Sequence, residues 1–127
     1  MSYESHWSGE IRITPPLTWA EIKRGPGLQD VKLRLDEQVE DTPTGQVRTV
    51  TAVAVQPLVA GEAFNGYAVE EELQQVIDAH PQHVFSGVIV ARPVDPDGTP
   101  WRYIVLDRIV VRQKPRLTWP DGTEATE

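Results

Sequence analysis

His80 and His83 stand three residues apart, the kind of pair that can hold a divalent metal when both rings leave one face of a helix. Helical zinc pairs are spaced by four residues and carry a glutamate that can act as base. Here Pro81 follows His80 directly, so the pattern reads as a helix-terminal histidine and then a loop or strand histidine. No metal site is expected. Asp95-Pro96-Asp97-Gly98 opens like a calcium loop, but that loop needs glycine at its sixth position and glutamate at its twelfth. Pro100 and Leu106 stand there, so the segment reads as a turn. Adjacent helical residues project about 100° apart, so Glu70, Glu71 and Glu72 cannot converge on one substrate. They suit the first turn of a helix, where the dipole favours anions. Gly25-Pro26-Gly27 lacks the lysine and hydroxyl of a phosphate loop, and Ser86-Gly87 lacks the rest of a nucleophile elbow. No catalytic residue and no cofactor is expected, and an enzyme with an unrecognised site is the weaker alternative.

Charge carries more. Arg102, Arg108, Arg112, Lys114 and Arg116 follow one another with Asp107 as the single intervening acid, and Trp101, Tyr103 and Trp119 lie among them. Guanidinium groups beside rings grip anionic groups of a small ligand or nucleotide, and line many single-strand binders. The candidate binding residues are therefore Trp101, Arg102, Tyr103, Arg112, Lys114 and Arg116. The plainer alternative is an edge hairpin whose basic residues discourage edge pairing and whose aromatics serve the core. Acids gather elsewhere, at Asp36, Glu37, Glu40 and Asp41 and at Glu70 to Glu72. With 19 acids against 12 bases the net charge is −7, which argues against general nucleic-acid binding.

The elements that must position these residues follow from pattern. Ile11 and Ile13 alternate with Glu10, Arg12 and Thr14, giving a strand over 9–14 that Pro15-Pro16 should end. Thr18 and Glu21 have capping-box spacing, with Leu17 and Ile22 placed as a hydrophobic staple, so a short helix should run from Trp19 to about Arg24 and stop at Gly25. Val31 to Val39 and Val47 to Val55 read as a long antiparallel hairpin turning at 41–45, with the second strand inside the sheet. Val69, Leu73, Val76, Ile77 and His80 form one helical stripe over 69–80. Strands follow at 83–92, 101–106 and 109–113, with Gly87 as a bulge or close-approach point and Asp107-Arg108 as a tight reversal. Trp19 and Trp101 are expected in the core.

Strand runs interrupted by two helices predict an α+β fold: an antiparallel sheet with one long helix packed on one face and one short helix, compatible with a ferredoxin-like arrangement. The 127 residues suit one domain, ordered over about 7–120, with 121–127 as a polar tail. Cysteine is absent, which excludes disulfides, thiol catalysis and cysteine-based zinc. No apolar run approaches the roughly 20 residues that span a bilayer, and residues 1–6 show no export signal, so no membrane association and a cytoplasmic address are expected.

Several segments together carry a family likeness. The opening Tyr3…Gly9-Glu10-Ile11-x-Ile13-x-Pro15-Pro16-Leu17, the run Val69-Glu70-Glu71-Glu72-Leu73, and Phe85-Ser86-Gly87 belong to it. So do Trp101-Arg102 and the closing Trp119-Pro120-Asp121-Gly122. The chain resembles small uncharacterised proteins of actinobacteria and their phages. Those often have a glycine turn where this chain has Asp107-Arg108. The resemblance implies such an origin and, for a phage protein, the host cytoplasm; it implies no activity and no site.

The leading expectation is a non-enzymatic, acidic phage or prophage accessory module that binds a protein partner, such as a host or defence protein it inhibits. Alternatives are a small anionic-ligand or nucleotide binder using the basic hairpin, and a virion structural or decoration protein, for which self-association, a homodimer included, would be evident.

Overall fold

In a computed structural model, residues 4–59 and 62–125 are described. β1 (Ser5–Leu17) alternates as a half-buried strand must: Trp7, Ile11, Ile13 and Leu17 are buried while Arg12 and Thr14 face solvent. It is longer than its isoleucine pattern suggests, because Pro15 and Pro16 do not end it; Leu17 still pairs with Ala52 across a register shift. α1 (Trp19–Arg24) starts at the expected capping box, with Thr18 accepting from the Glu21 amide and Glu21 accepting from the Thr18 amide, and it stops at Gly25. Trp19 is not a core residue: it is 52% exposed.

β2 (Val31–Thr42) and β3 (Gly45–Pro57) pair along their whole length as the expected hairpin. β4 (Ala63–Phe64) pairs with Ser5 and His6 of β1, and at two residues it is too short to leave any period in the sequence. α2 (Val69–Ala79) buries Val69, Leu73, Val76 and Ile77, the expected stripe. β5 (Val84–Pro93), β6 (Trp101–Leu106) and β7 (Ile109–Gln113) complete an antiparallel sheet ordered β2-β3-β1-β5-β6-β7, with β4 beside β1. Beyond β7 the chain turns back on itself, with Thr118 bridged to Glu124.

This corrects the expected α+β arrangement. Among the described residues seven strands dominate, the helices have 6 and 11 residues, and no long helix lies across a sheet face. Two things hid this from the sequence. Strand ends built of polar residues leave no apolar signal, so the sheet was underestimated. The helical stripe gave a face but not a reach, and three turns span only about 16 Å.

α2 instead ties the two outermost strands together. At its start, buried Glu72 accepts from the backbone amides of Gln29 and Asp30, just before β2, while Asp30 accepts from the Ala68 amide (2.8 Å). Further along, Gln74 accepts from the Val110 amide of β7 (2.8 Å) and donates to the Arg108 carbonyl (2.9 Å). One short helix can reach both ends of a six-strand path only if the sheet curls around it. The core agrees: residues of α2 and of β1, β2, β3, β5, β6 and β7 form one buried cluster.

Candidate functional site

Cross-strand register decides which side chains of the basic hairpin meet. Val90 of β5 lies opposite Arg102 of β6, which lies opposite Gln113 of β7, so the three share the outer face in one row. Arg92 is two residues along β5 on the same face. The chain leaving β7 carries Lys114, Pro115 and Arg116 beside this row, and Pro100 and Trp101 lie at its end. Together they line an open cleft of about 760 Å³.

Four of the six candidate residues therefore line the cleft, Trp101, Arg102, Lys114 and Arg116, although Trp101, opposite Ala91 and against Trp7, turns its indole to the inner side. Arg112 is adjacent rather than lining. By strand parity it points to the inner side, opposite Tyr103, and its guanidinium lies over the Trp101 ring, 4.6 Å from the centroid. Tyr103 does not reach the cleft. It is buried and stacked on Trp7 (6.2 Å, 3° between planes), where it serves the core. Arg92 was missed, because it sits ten residues before Arg102 and only the β5–β6 register brings them together.

Arg108 illustrates a cation taken out of the site. The reversal at Asp107-Arg108, both at positive φ, turns its guanidinium under the end of α2. There it donates to the carbonyls of Ile77, His80 and His83, the last at 2.7 Å, with Phe85 beneath it. It caps orphan helix carbonyls and contributes nothing to the cleft.

Three of the other cations on the sheet are paired, although Lys32 of β2 forms no ion pair among the described residues. Arg34 grips Glu10 through two hydrogen bonds (2.9 and 3.1 Å), Arg12 lies 3.8 Å from the same carboxylate, and Arg48 pairs with Glu37. The Arg34 hydrogen bond holds the Glu10 carboxyl below the usual carboxylate range. By contrast, no carboxylate among the described residues forms an ion pair with Arg92, Arg102, Arg112, Lys114 or Arg116. Arg102 is steadied by a neutral group instead, donating from Nε to Gln113 Oε1 (2.9 Å). That leaves its two Nη groups without a partner among the described residues and open to an oxyanion. Trp101 is pinned edge-on against Trp7 (5.8 Å), and its indole N–H is buried with no hydrogen-bond partner among the described residues.

The histidine pair lies away from the cleft. Both rings are buried, 6.0 Å apart and perpendicular. His83 Nδ1 lies 2.6 Å from the Pro15 carbonyl oxygen and Nε2 2.7 Å from Glu21 Oε2. Hydrogen bonds from the Thr18 backbone, then from His83, pull the Glu21 carboxyl down to about 2. Burial lowers His80 from its ordinary value, against the opposing pull of Glu21. Among the described residues no three metal-ligating side chains come together. Glu70 and Glu71 are exposed, whereas Glu72 is the buried clamp already described, not part of a solvated cluster. No described helix is long and apolar enough to cross a membrane.

The chain is thus a curled antiparallel-sheet protein, its outermost strands joined through one helix, with a cationic cleft on the outer face near the sheet's end. A family model matches it over residues 1–127, and the chain belongs to that family, a family of unknown function (DUF6205). No curated protein and no solved structure matches it.

Proposed function

We propose that this protein binds a small anionic ligand in the cleft between β5, β6 and the segment after β7. The observation that carries the reading is the convergence of Arg92, Arg102, Lys114 and Arg116 around one cavity without a carboxylate partner among the described residues. Unpaired like charges held together repel, and a bound anion relieves that repulsion. The cavity of about 760 Å³ falls within the range of small-molecule sites, about 300–1,000 Å³. The lining supplies charge, N–H donors and an apolar wall, which are the elements of binding. Calorimetric titration with pyrophosphate at low salt tests it. Binding is expected for the wild type and loss of binding for the Arg102→Glu, Arg116→Glu double variant. An absence of heat in the wild type, or an unaffected double variant, contradicts the reading.

A second reading rests on the far half of the β2–β3 hairpin. Residues 35–49, Thr42 apart, are exposed on both faces, with Leu35, Val39 and Val47 about half exposed among Asp36, Glu37, Glu40 and Asp41. Four acids against Arg48 suit a partner protein with a basic surface. The resemblance to actinobacterial and phage proteins supports, within this reading, an accessory role in the cytoplasm against a host or defence protein. Charge reversal of the four acids should abolish capture of that partner while leaving pyrophosphate binding intact.

A further inference from the structure

Strand register sorts the outer face of β5, β6 and β7 into rows. Next to the row of Val90, Arg102 and Gln113 comes a row of Val88, Ile104 and Val111, and then Leu106 opposite Ile109. These five side chains are all apolar and none is buried, and Leu106 and Ile109 are more than half exposed. An antiparallel sheet facing water ordinarily alternates to polar residues on that side, and a contiguous apolar patch with a polar border marks an interaction surface. The border here is cationic: Arg92, Arg102, Lys114 and Arg116 have no carboxylate partner among the described residues. The chain itself carries the complement. On the far half of the β2–β3 hairpin, Leu35 and Val39 share the face that Val31 takes into the core, and Val50, opposite Glu37, joins them. Glu37 is tied to Arg48, but Asp36, Glu40 and Asp41 form no ion pair among the described residues. The lengths agree, since Leu35 to Asp41 spans about 20 Å of strand and Leu106 to Arg102 about 13 Å. Leu35 and Val39 laid on the apolar rows therefore bring Glu40 and Asp41 to the cations. An anionic membrane is the poorer match, because a chain of net charge −7 is repelled by it.

We propose that the outer face of β5–β7 is covered by a second copy of this chain, whose acidic hairpin lies on the apolar rows with its tip carboxylates on Arg102 and Arg116. This rests on the anion-binding reading of the same cations, with side-chain carboxylates as the anions. The contact joins two different surfaces, so it is either exchanged reciprocally within a dimer or repeated head to tail. Below the association range the cations are free, and pyrophosphate meets them there.

The test is sedimentation of the full chain up to about 1 mM, at about 0.05 M and about 0.5 M salt. Concentration-dependent association is expected, at least tenfold weaker at the higher salt. Two charge reversals separate the surfaces: Asp36→Lys, Glu40→Lys, Asp41→Lys on the hairpin, and Arg102→Glu, Arg116→Glu on the outer face. Each variant alone should be monomeric, because like charges then meet. Their equimolar mixture should associate, because the reversed hairpin matches the reversed face and the two unaltered surfaces match each other. Leu106→Gln, Ile109→Gln, at exposed positions, should weaken association at least tenfold with pyrophosphate affinity unchanged. A wild type that stays monomeric at low salt overturns the proposal and leaves pyrophosphate binding to stand or fall by its own titration. Association that survives either charge reversal, or variants that stay apart when mixed, also overturns it. So does a monomeric wild type that pellets with phosphatidylserine vesicles, in favour of a membrane surface. Complementation in the mixture without pyrophosphate binding by the wild type upholds the self-contact and overturns the small-ligand reading.

Discussion

Arg108 and Arg102 are the same residue type six positions apart, yet one caps α2 and the other faces the cleft. Truncating Arg108 strands the buried carbonyls of Ile77, His80 and His83. Arg108→Ala is therefore expected to lower stability by about 2–3 kcal/mol in urea unfolding, with pyrophosphate affinity unchanged in the folded protein. The Glu21 carboxyl, at about 2 in the folded chain, makes a second prediction. A carboxyl depressed on folding contributes stability above its unfolded value, near 4.5, and loses it as the pH falls toward 2. His80 acts earlier: with its folded value lowered, the unfolded chain takes up the proton first, and stability declines as the pH drops below the ordinary histidine value of 6.5. Stability measured from pH 7 to 2 should thus decline in two stages, with Glu21→Gln flattening the lower and His80→Phe the upper. At this scale the sequence was partly legible. The Thr18–Glu21 box is local and was readable, whereas the partnership of Glu21 with His83 spans 62 residues and left no sign in either neighbourhood.

Among the elements, β1 and β5 are the central pair, and two glycines let them approach. Gly87 (φ +131°) lies where an added Cβ would strike the Glu10 carbonyl oxygen, and Gly9 (φ +90°) stands in the mirrored relation to Val88. Gly87→Ala is expected to cost about 2–3 kcal/mol through backbone strain and overlap, measured by chemical unfolding. The far half of the β2–β3 hairpin makes the opposite prediction. Replacing Val39–Arg48 with Asn-Gly should change stability by no more than about 1 kcal/mol and leave the amide spectrum of α2 and β5–β7 in place, because none of these residues is buried. Gly87 as a close-approach point could be read from a lone glycine in an apolar strand. The extent of β1 and the brevity of α2's reach could not, since both depend on pairing partners distant in the chain.

For the whole molecule, the net charge of −7 averages over two unlike regions. Acids line the projecting hairpin, and cations with no carboxylate partner among the described residues gather where β5, β6 and the final segment meet. Element order, β4 apart, was legible from hydrophobic period and turn residues. The curl was not, because it follows from Glu72 and Gln74 reaching opposite edges of the sheet, and a buried glutamate in a run of three reads from sequence as a solvated one. The cleft was half legible: Arg102, Lys114 and Arg116 stood together in the chain, while Arg92 joined them only through register. Its role as an anion site is the central claim. The most direct measurement is a pyrophosphate titration followed by amide chemical shifts of the ¹⁵N-labelled protein. Shifts concentrated at residues 90–92, 100–102 and 113–116 are the predicted result; no shifts at millimolar pyrophosphate, or shifts centred elsewhere, would contradict it.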